Sequence, residues 1–209
     1  VTKLSDAAPL TVLTYNNGSR VEGLLVDICG HLAAQGVALA GMIQIGKPRE
    51  GRSRCDMVLE DLKTGTQIEI SEDRGPFARG CMLAVSQLLQ ALELASRGLD
   101  SDCDLLVINK FGKTESEGGG FRPLIVEALS RGIPVLIAVP AANLDSWRHF
   151  ADGLATEYPI ETLECDPATA CRQLQLAQPE GRCGADAISS APPGSQVTTP
   201  PPTRSGALC

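Results

Sequence analysis

Aromatic residues are scarce in this chain: 3% of 209 residues, with one tryptophan, two tyrosines and four phenylalanines. A stacking platform for single-stranded nucleic acid needs several such rings on one face, so that class is excluded. Positive charge is short as well. Lysine and arginine number 18 against 25 aspartates and glutamates, a net charge of -7. That excludes a general nucleic-acid binder, because neutralising phosphates takes a concentrated basic surface. Two histidines, His31 and His149, are too few for a His-rich metal site. No run of about 18 apolar residues and no signal peptide can be read, so the protein is expected to be soluble and cytoplasmic, with no membrane partner. None of the eight cysteines (Cys29, Cys55, Cys81, Cys103, Cys165, Cys171, Cys183, Cys209) forms a C-x-x-C pair, which leaves out a zinc ribbon or a thioredoxin motif. The chain is too long and too apolar for a disulfide scaffold. The cysteines are expected as free thiols, several of them small core residues.

What is present is a core. Apolar residues make up 43% of the chain, enough for one sizeable domain. Leu10–Tyr15 reads as a β-branched, apolar strand. Asn16-Asn17-Gly18 signals a turn, and Ser19 with Glu22 has capping-box spacing for a helix that Gly36 ends. Val37–Ile45 reads as a second strand. Cys55–Leu62 and Gln67–Ile70 read as a hairpin. A helix over Leu83–Arg97 has Val85, Leu88, Leu89, Leu92 and Ala95 on its apolar face.

The stretch Asp104–Glu115 is the centre of the chain. It starts as a continuous apolar run, the signature of a strand buried on both faces of a parallel sheet, and breaks into Asn-Lys-Phe-Gly-Lys-Thr-Glu. Three consecutive glycines, Gly118-Gly119-Gly120, imply mobility or a close backbone approach. A helix over Arg122–Arg131, a strand over Pro134–Val139, a short helix over Asn143–Ala151, a last strand at Glu161–Leu163 and a helix capped by Asp166 and running to about Ala177 complete the reading. From Gln178, Pro, Gly, Ser and Thr dominate, as in a disordered tail. The expected organisation is a lead over 1–9, one α/β domain over 10–177 and a tail over 178–209. Its fold is a three-layer, P-loop-NTPase-like α/β fold with a mainly parallel sheet plus a β-hairpin.

Open α/β sheets bind ligands beyond the carboxyl ends of their strands, so the candidate site residues cluster there. Gly18-Ser19-Arg20-Val21-Glu22-Gly23 fits the G-x-x-x-x-G frame of a phosphate-binding loop. Leu24 and Leu25 stand where that frame has its lysine and its magnesium-holding hydroxyl, and Asn109 stands at a strand end where such enzymes carry aspartate. These three replacements weigh against hydrolysis. Asn17, Gly18, Ser19 and Arg20 remain as donors at a helix start. Asn109, Lys110, Gly112, Lys113 and Glu115 form the loop after the central strand. Arg52, Arg54, Arg74 and Arg79 could converge on the same cleft. Glu115 could orient Lys113 or Arg122, act as a base, or cap the glycine loop. Cys81, at a helix start, is either an activated thiol or a small buried cap.

Leu105–Glu115, read as L-L-V-I-N-K-F-G-K-T-E, with the glycine run and Gly132-Ile133-Pro134-Val135-Leu136, resembles a bacterial domain-of-unknown-function family. Arg79-Gly80-Cys81 and the segment from Trp147 to Phe150 resemble it too, and the resemblance covers about residues 10–175. That family is similar to the THEP-type nucleoside triphosphatases, whose corresponding strand ends in I-D-E-I-G-x-x-E. Asn109 and Lys110 replace the Asp and Glu of that pattern, whereas Gly112 and Glu115 keep its Gly and Glu. The family's genes are described near molybdate-uptake and nitrogen-fixation genes, so the resemblance implies molybdenum physiology.

Three functions stay open: a degenerate P-loop-like protein that binds a nucleotide or a small oxyanion such as molybdate without robust hydrolysis, a divergent nucleoside triphosphatase or kinase, and a protein-interaction module with a vestigial site. The expected partner is a small anionic ligand, with no resident metal, and a homo-oligomer stays open.

Overall fold

The computed structural model describes residue 4 and residues 7–16, 18–47, 56–70, 85–99 and 102–176. In chain order its elements are β1 (Leu10–Tyr15), α1 (Gly18–Ala34), β2 (Leu39–Lys47), β3 (Asp56–Asp61), β4 (Gln67–Glu69), α2 (Val85–Gly98), β5 (Leu105–Ile108), α3 (Lys113–Ser116), α4 (Arg122–Ser130), β6 (Val135–Pro140), α5 (Leu144–Ala151), β7 (Ala155–Pro159) and α6 (Pro167–Gln173). Short 3-10 turns at Ala141–Asn143 and Ile160–Thr162 precede α5 and follow β7.

Period-two burial builds the sheet. Leu106 and Ile108 of β5 and Val135, Ile137 and Val139 of β6 enter one apolar layer, while Leu105, Val107, Leu136 and Ala138 enter the other. The first layer is closed by Ala91 and Ala95 of α2, Leu124, Ile125 and Ala128 of α4, and Trp147 and Ala151 of α5. The second is closed by Val21, Leu24, Leu25, Ile28 and Leu32 of α1 with Ala170 and Cys171 of α6. Burial of each large aliphatic side chain in that stripe of α1 contributes about 1.5–3 kcal/mol, far more than helix propensity does.

The strand order is β4-β3-β2-β5-β6-β1-β7. The five strands from β2 to β7 in that order are parallel, and the hairpin strands β3 and β4 are antiparallel. This is the mainly parallel three-layer architecture with a hairpin that the sequence implies. From β1 the chain passes through α1 to β2, three places away on one side. From β6 it passes through α5 to β7, on the other side of β1. The two connections diverge at the carboxyl ends of β1 and β6, and such a switch point opens a crevice.

The last strand differs from its expected position. It is β7, Ala155–Pro159, and Glu161 lies in the 3-10 turn after it. β7 is an edge strand with no fully buried residue, so it lacks the apolar alternation that marks a strand in sequence. Ala95 of α2 is buried as expected, but Leu89 is 61% exposed and Ala91 turns inward in its place. α6 ends at Gln173 rather than near Ala177, with Asp166 capping the Thr169 amide at 2.8 Å as expected. The expected tail over 178–209 lies outside the described residues. Among the described residues no helix is long and apolar enough to cross a membrane.

Candidate functional site

The β5 end is held on both sides. Parallel pairing of β2 with β5 stops at Met42 and Ile108, and the Asn109 amide then donates to the Met42 carbonyl at 2.9 Å. Beyond that point a side chain extends the ladder. Asn109 Oδ1 accepts from the Gln44 amide at 3.1 Å, and Asn109 Nδ2 donates to Gln44 Oε1 at 3.4 Å. Gln44 Nε2 in turn donates to Glu22 Oε1 at 2.9 Å. On the other side, the Phe111 amide donates to the Ala138 carbonyl at 2.8 Å and Asn143 Nδ2 donates to the Phe111 carbonyl at 2.9 Å. The turn is fixed, and the Lys110 side chain between these anchors is exposed.

Electrostatics couple the same groups. Partial burial pushes the Glu22 carboxyl above its ordinary value, and the Lys110 ammonium pulls it partway back. Burial, then the Glu22 charge, pushes the Tyr15 phenol up.

Glu115 is a structural pin. It is 5% exposed. Its Oε2 accepts from the Gly112 amide at 2.8 Å and its Oε1 from the Phe121 amide at 3.1 Å. A Cβ on Gly120 would lie 1.9 Å from Glu115 Oε1, and Gly120 has φ +59°. The glycine run therefore serves close approach to a buried carboxylate. Glu115 caps this loop and its neighbouring short helix α3. It does not pair with Lys113, whose ammonium lies 3.6 Å from Glu117.

The phosphate-loop frame takes a different form. α1 begins at Gly18, so Gly18 to Gly23 is helix and no loop wraps a phosphate there. The helix begins at Gly18, before Ser19, and Glu22 accepts from Gln44. Leu24 and Leu25 are buried in the core. Arg20 donates to the Leu163 carbonyl at 2.8 Å and contacts Cys165 Sγ at 3.8 Å, so its guanidinium is engaged beside the 3-10 turn that follows β7. Asn17, Arg52, Arg54, Arg74, Arg79, Cys81 and the Ser19 side chain lie outside the described residues.

A cavity of about 370 Å³ opens at this carboxyl edge. Asn109, Lys110, Gly112, Lys113 and Thr114 form its polar wall with Tyr15, Gln44 and Asn143, and Met42, Met57, Leu59, Ile70, Leu88 and Phe121 supply apolar surface. A volume above about 300 Å³ with mostly apolar walls and a few convergent polar groups is what small-molecule sites share. A larger groove of about 520 Å³ lies between α1 and the β2–β3 side of the sheet, lined by Val26, Cys29, Gly30, Ala33 and Leu62 among others. Glu60, Lys63 and Asp102 line it as well, but it lies toward the amino ends of β2 and β5, so the carboxyl-edge cavity is the better candidate. Among the described residues no three His, Cys, Asp or Glu side chains cluster to hold a metal.

Four members of the site escape a reading by motif: Tyr15, Gln44, Asn143, and Glu22 in its observed role. Gln44 had one signal, as a polar residue inside an otherwise apolar strand. A buried amide in such a place must find partners.

Strand order and cavity position define an α/β domain of the P-loop-NTPase-like fold. The solved solution structure of a human cancer-related nucleoside triphosphatase superposes with a TM-score of 0.59 at 19% identity, covering 84% of this chain and all of that one. The chain belongs to the family described as protein of unknown function DUF2478, whose profile matches residues 10–166. A molybdenum import ATP-binding protein, ModC 2 of Bradyrhizobium diazoefficiens, is 32% identical over 161 residues, which span 77% of this chain and 17% of that relative. This chain thus corresponds to a small part of the relative's length.

Proposed function

We propose that this chain is a P-loop-like nucleotide-binding domain that holds its ligand at the carboxyl edge without robust hydrolysis. The observation that carries this reading is the cavity itself, whose apolar floor suits a nucleoside ring while the Asn109–Thr114 wall, with Lys110, meets the phosphates. Weak hydrolysis is supported by the side chains at the three replaced positions. Leu24 and Leu25 belong to the core, and the Asn109 amide is bonded to Gln44 through both its oxygen and its nitrogen. A second reading, in which the cavity takes molybdate or a similar oxyanion, is favoured by the similarity to part of a molybdenum import ATP-binding protein.

Thermal unfolding of chelator-treated protein with ATP, GTP, phosphate, sulfate, molybdate or tungstate separates the readings. A ligand at about 100 times its Kd adds about 2.7 kcal/mol to the folded state. Stabilisation by ATP or GTP, lost in the Lys110→Ala/Lys113→Ala double variant, is the expected result; both lysines are exposed, so the fold should survive. Stabilisation by molybdate and tungstate alone retires the nucleotide. Magnesium-dependent phosphate release at a substantial rate would make the chain an enzyme. Silence with every ligand would leave the interaction module ahead.

A further inference from the structure

Three buried polar side chains line the carboxyl-edge cavity: Gln44, Asn109 and Glu115. Both oxygens of Glu115 are committed to the Gly112 and Phe121 amides. Gln44 and Asn109 keep capacity to spare, and their orientation is set by a one-way series of hydrogen bonds. The Gln44 backbone amide can only donate, so it holds Asn109 Oδ1 toward itself at 3.1 Å. Asn109 Nδ2 is thereby turned to Gln44 Oε1, and Gln44 Nε2 to the Glu22 carboxyl at 2.9 Å. A primary amide nitrogen carries two N–H donors, and each nitrogen spends one in this series. Among the described residues the second N–H of each has no protein partner. Each side-chain oxygen already accepts one bond, and an unmet N–H in a buried wall costs more than a spare lone pair. This part of the wall therefore calls for an acceptor on the ligand.

That acceptor is neutral. Lys110 and Lys113 are exposed, whereas Gln44 and Asn109 are 9% and 7% exposed and follow the buried Met42 and Ile108. An anion brought to the Gln44 amide would also approach the Glu22 carboxyl bonded to it. Phosphates belong at the lysine rim, and an uncharged ring belongs at the amides.

We infer that Asn109 and Gln44 are the specificity-determining pair of this cavity, a donor edge that selects a base with an oxo group at C6, guanine or hypoxanthine, over one with an amino group there, as in adenine. This rests on the nucleotide reading of the site. Guanine presents O6 and N7 side by side as acceptors, while adenine sets a 6-amino donor beside N7. With guanine both spare N–H groups meet acceptors. With adenine donor faces donor, and a site built to donate rejects such a ligand strongly.

The test is affinity by calorimetry at pH 7.5 for GTP, ITP, ATP and 2,6-diaminopurine riboside triphosphate, with the parent and with Asn109→Asp. GTP and the diaminopurine share their 2-amino group, as ITP and ATP share its absence, so each pair varies at C6. The 6-oxo ligands should bind about tenfold to a hundredfold tighter than their 6-amino counterparts. Asn109→Asp keeps an oxygen for the Gln44 amide but replaces the spare N–H by an acceptor, and should abolish that preference. GTP should also shift the side-chain amide NMR signals of Asn109 and Gln44 in the parent, a readout that needs no variant to fold. Equal or tighter binding of ATP overturns the selection and leaves the nucleotide reading standing. Binding of none of the four sinks the nucleotide reading and this inference with it. A preference for GTP with unmoved amide signals, or one that a folded Asn109→Asp retains, overturns the role of the pair.

Discussion

Glu115 accepts hydrogen bonds from the Gly112 and Phe121 amides, and Gly120 is glycine because that carboxylate occupies the space of a Cβ. Glu115→Ala should cost roughly 2–4 kcal/mol in denaturant unfolding, since it strands the Gly112 and Phe121 donors in a buried setting. Gly120→Ala should cost a similar amount while leaving the carboxylate chemically intact. Equal stability of either variant and the parent would remove Glu115 from the role of pin. The sequence displays Glu115, at the end of the central stretch, and the glycines that follow it plainly, but not their relation. A glutamate after a lysine-bearing loop reads equally as base, ion-pair partner or cap, and only the positions of the Gly112 and Phe121 amides decide. Gln44 was harder to see, because its partners come from β5 and α1, 65 and 22 residues away along the chain.

β2 is built around a glycine that pattern reading passes over. Gly41 has φ +106°, and a Cβ there would sit 1.9 Å from the Val107 carbonyl oxygen. The Leu62 amide meanwhile bonds to the Gly41 carbonyl at 3.0 Å. Gly41→Ala should separate β2 from β5 and cost more than about 4 kcal/mol, seen as loss of the cooperative unfolding transition at 25 °C. A cooperative transition near the parent midpoint would show that the strand pair tolerates the extra atom. The interior strands were legible because burial on both faces leaves long apolar runs, as in Leu105–Ile108 and Val135–Val139. β7 was not, because an edge strand with a proline at its end carries no such run. The helical start at Gly18 was hidden for a different reason. Glycine spacing is shared by loops and helices, and the packing of Val21, Leu24 and Leu25 against the sheet decides in favour of the helix.

Across the α1–α6 contact, two buried thiols couple the stability of the entire domain to alkaline pH. Burial pushes Cys29 up to about 12 and Cys171 up to about 11, from an ordinary 9.0. The unfolded chain therefore releases these protons at lower pH than the folded one. The contribution to stability is intact below pH 9 and declines as pH rises from about 9 toward 11 and 12. Between pH 8 and pH 10 the two thiols together should account for a loss of about 2 kcal/mol. Urea unfolding of the parent and of a Cys29→Ala/Cys171→Ala variant isolates this part, since tyrosines and lysines titrate alike in both. Parallel pH profiles would refute it. The layered architecture of this chain was readable from the order of strand and helix signals alone. The layering of α1 with α6 was not, because it depends on contacts between segments about 140 residues apart.

The rung between Asn109 and Gln44 also has a mechanical meaning. β2 projects five residues beyond Met42, its last residue paired with β5, and carries the β3–β4 hairpin on its far side. The hairpin is thus cantilevered from the sheet, and the Asn109 side chain is the bracket at the root of the beam. A load applied to the hairpin is shared between α2, which packs on β3 and β4, and that bracket, whose next residue along the chain is Lys110.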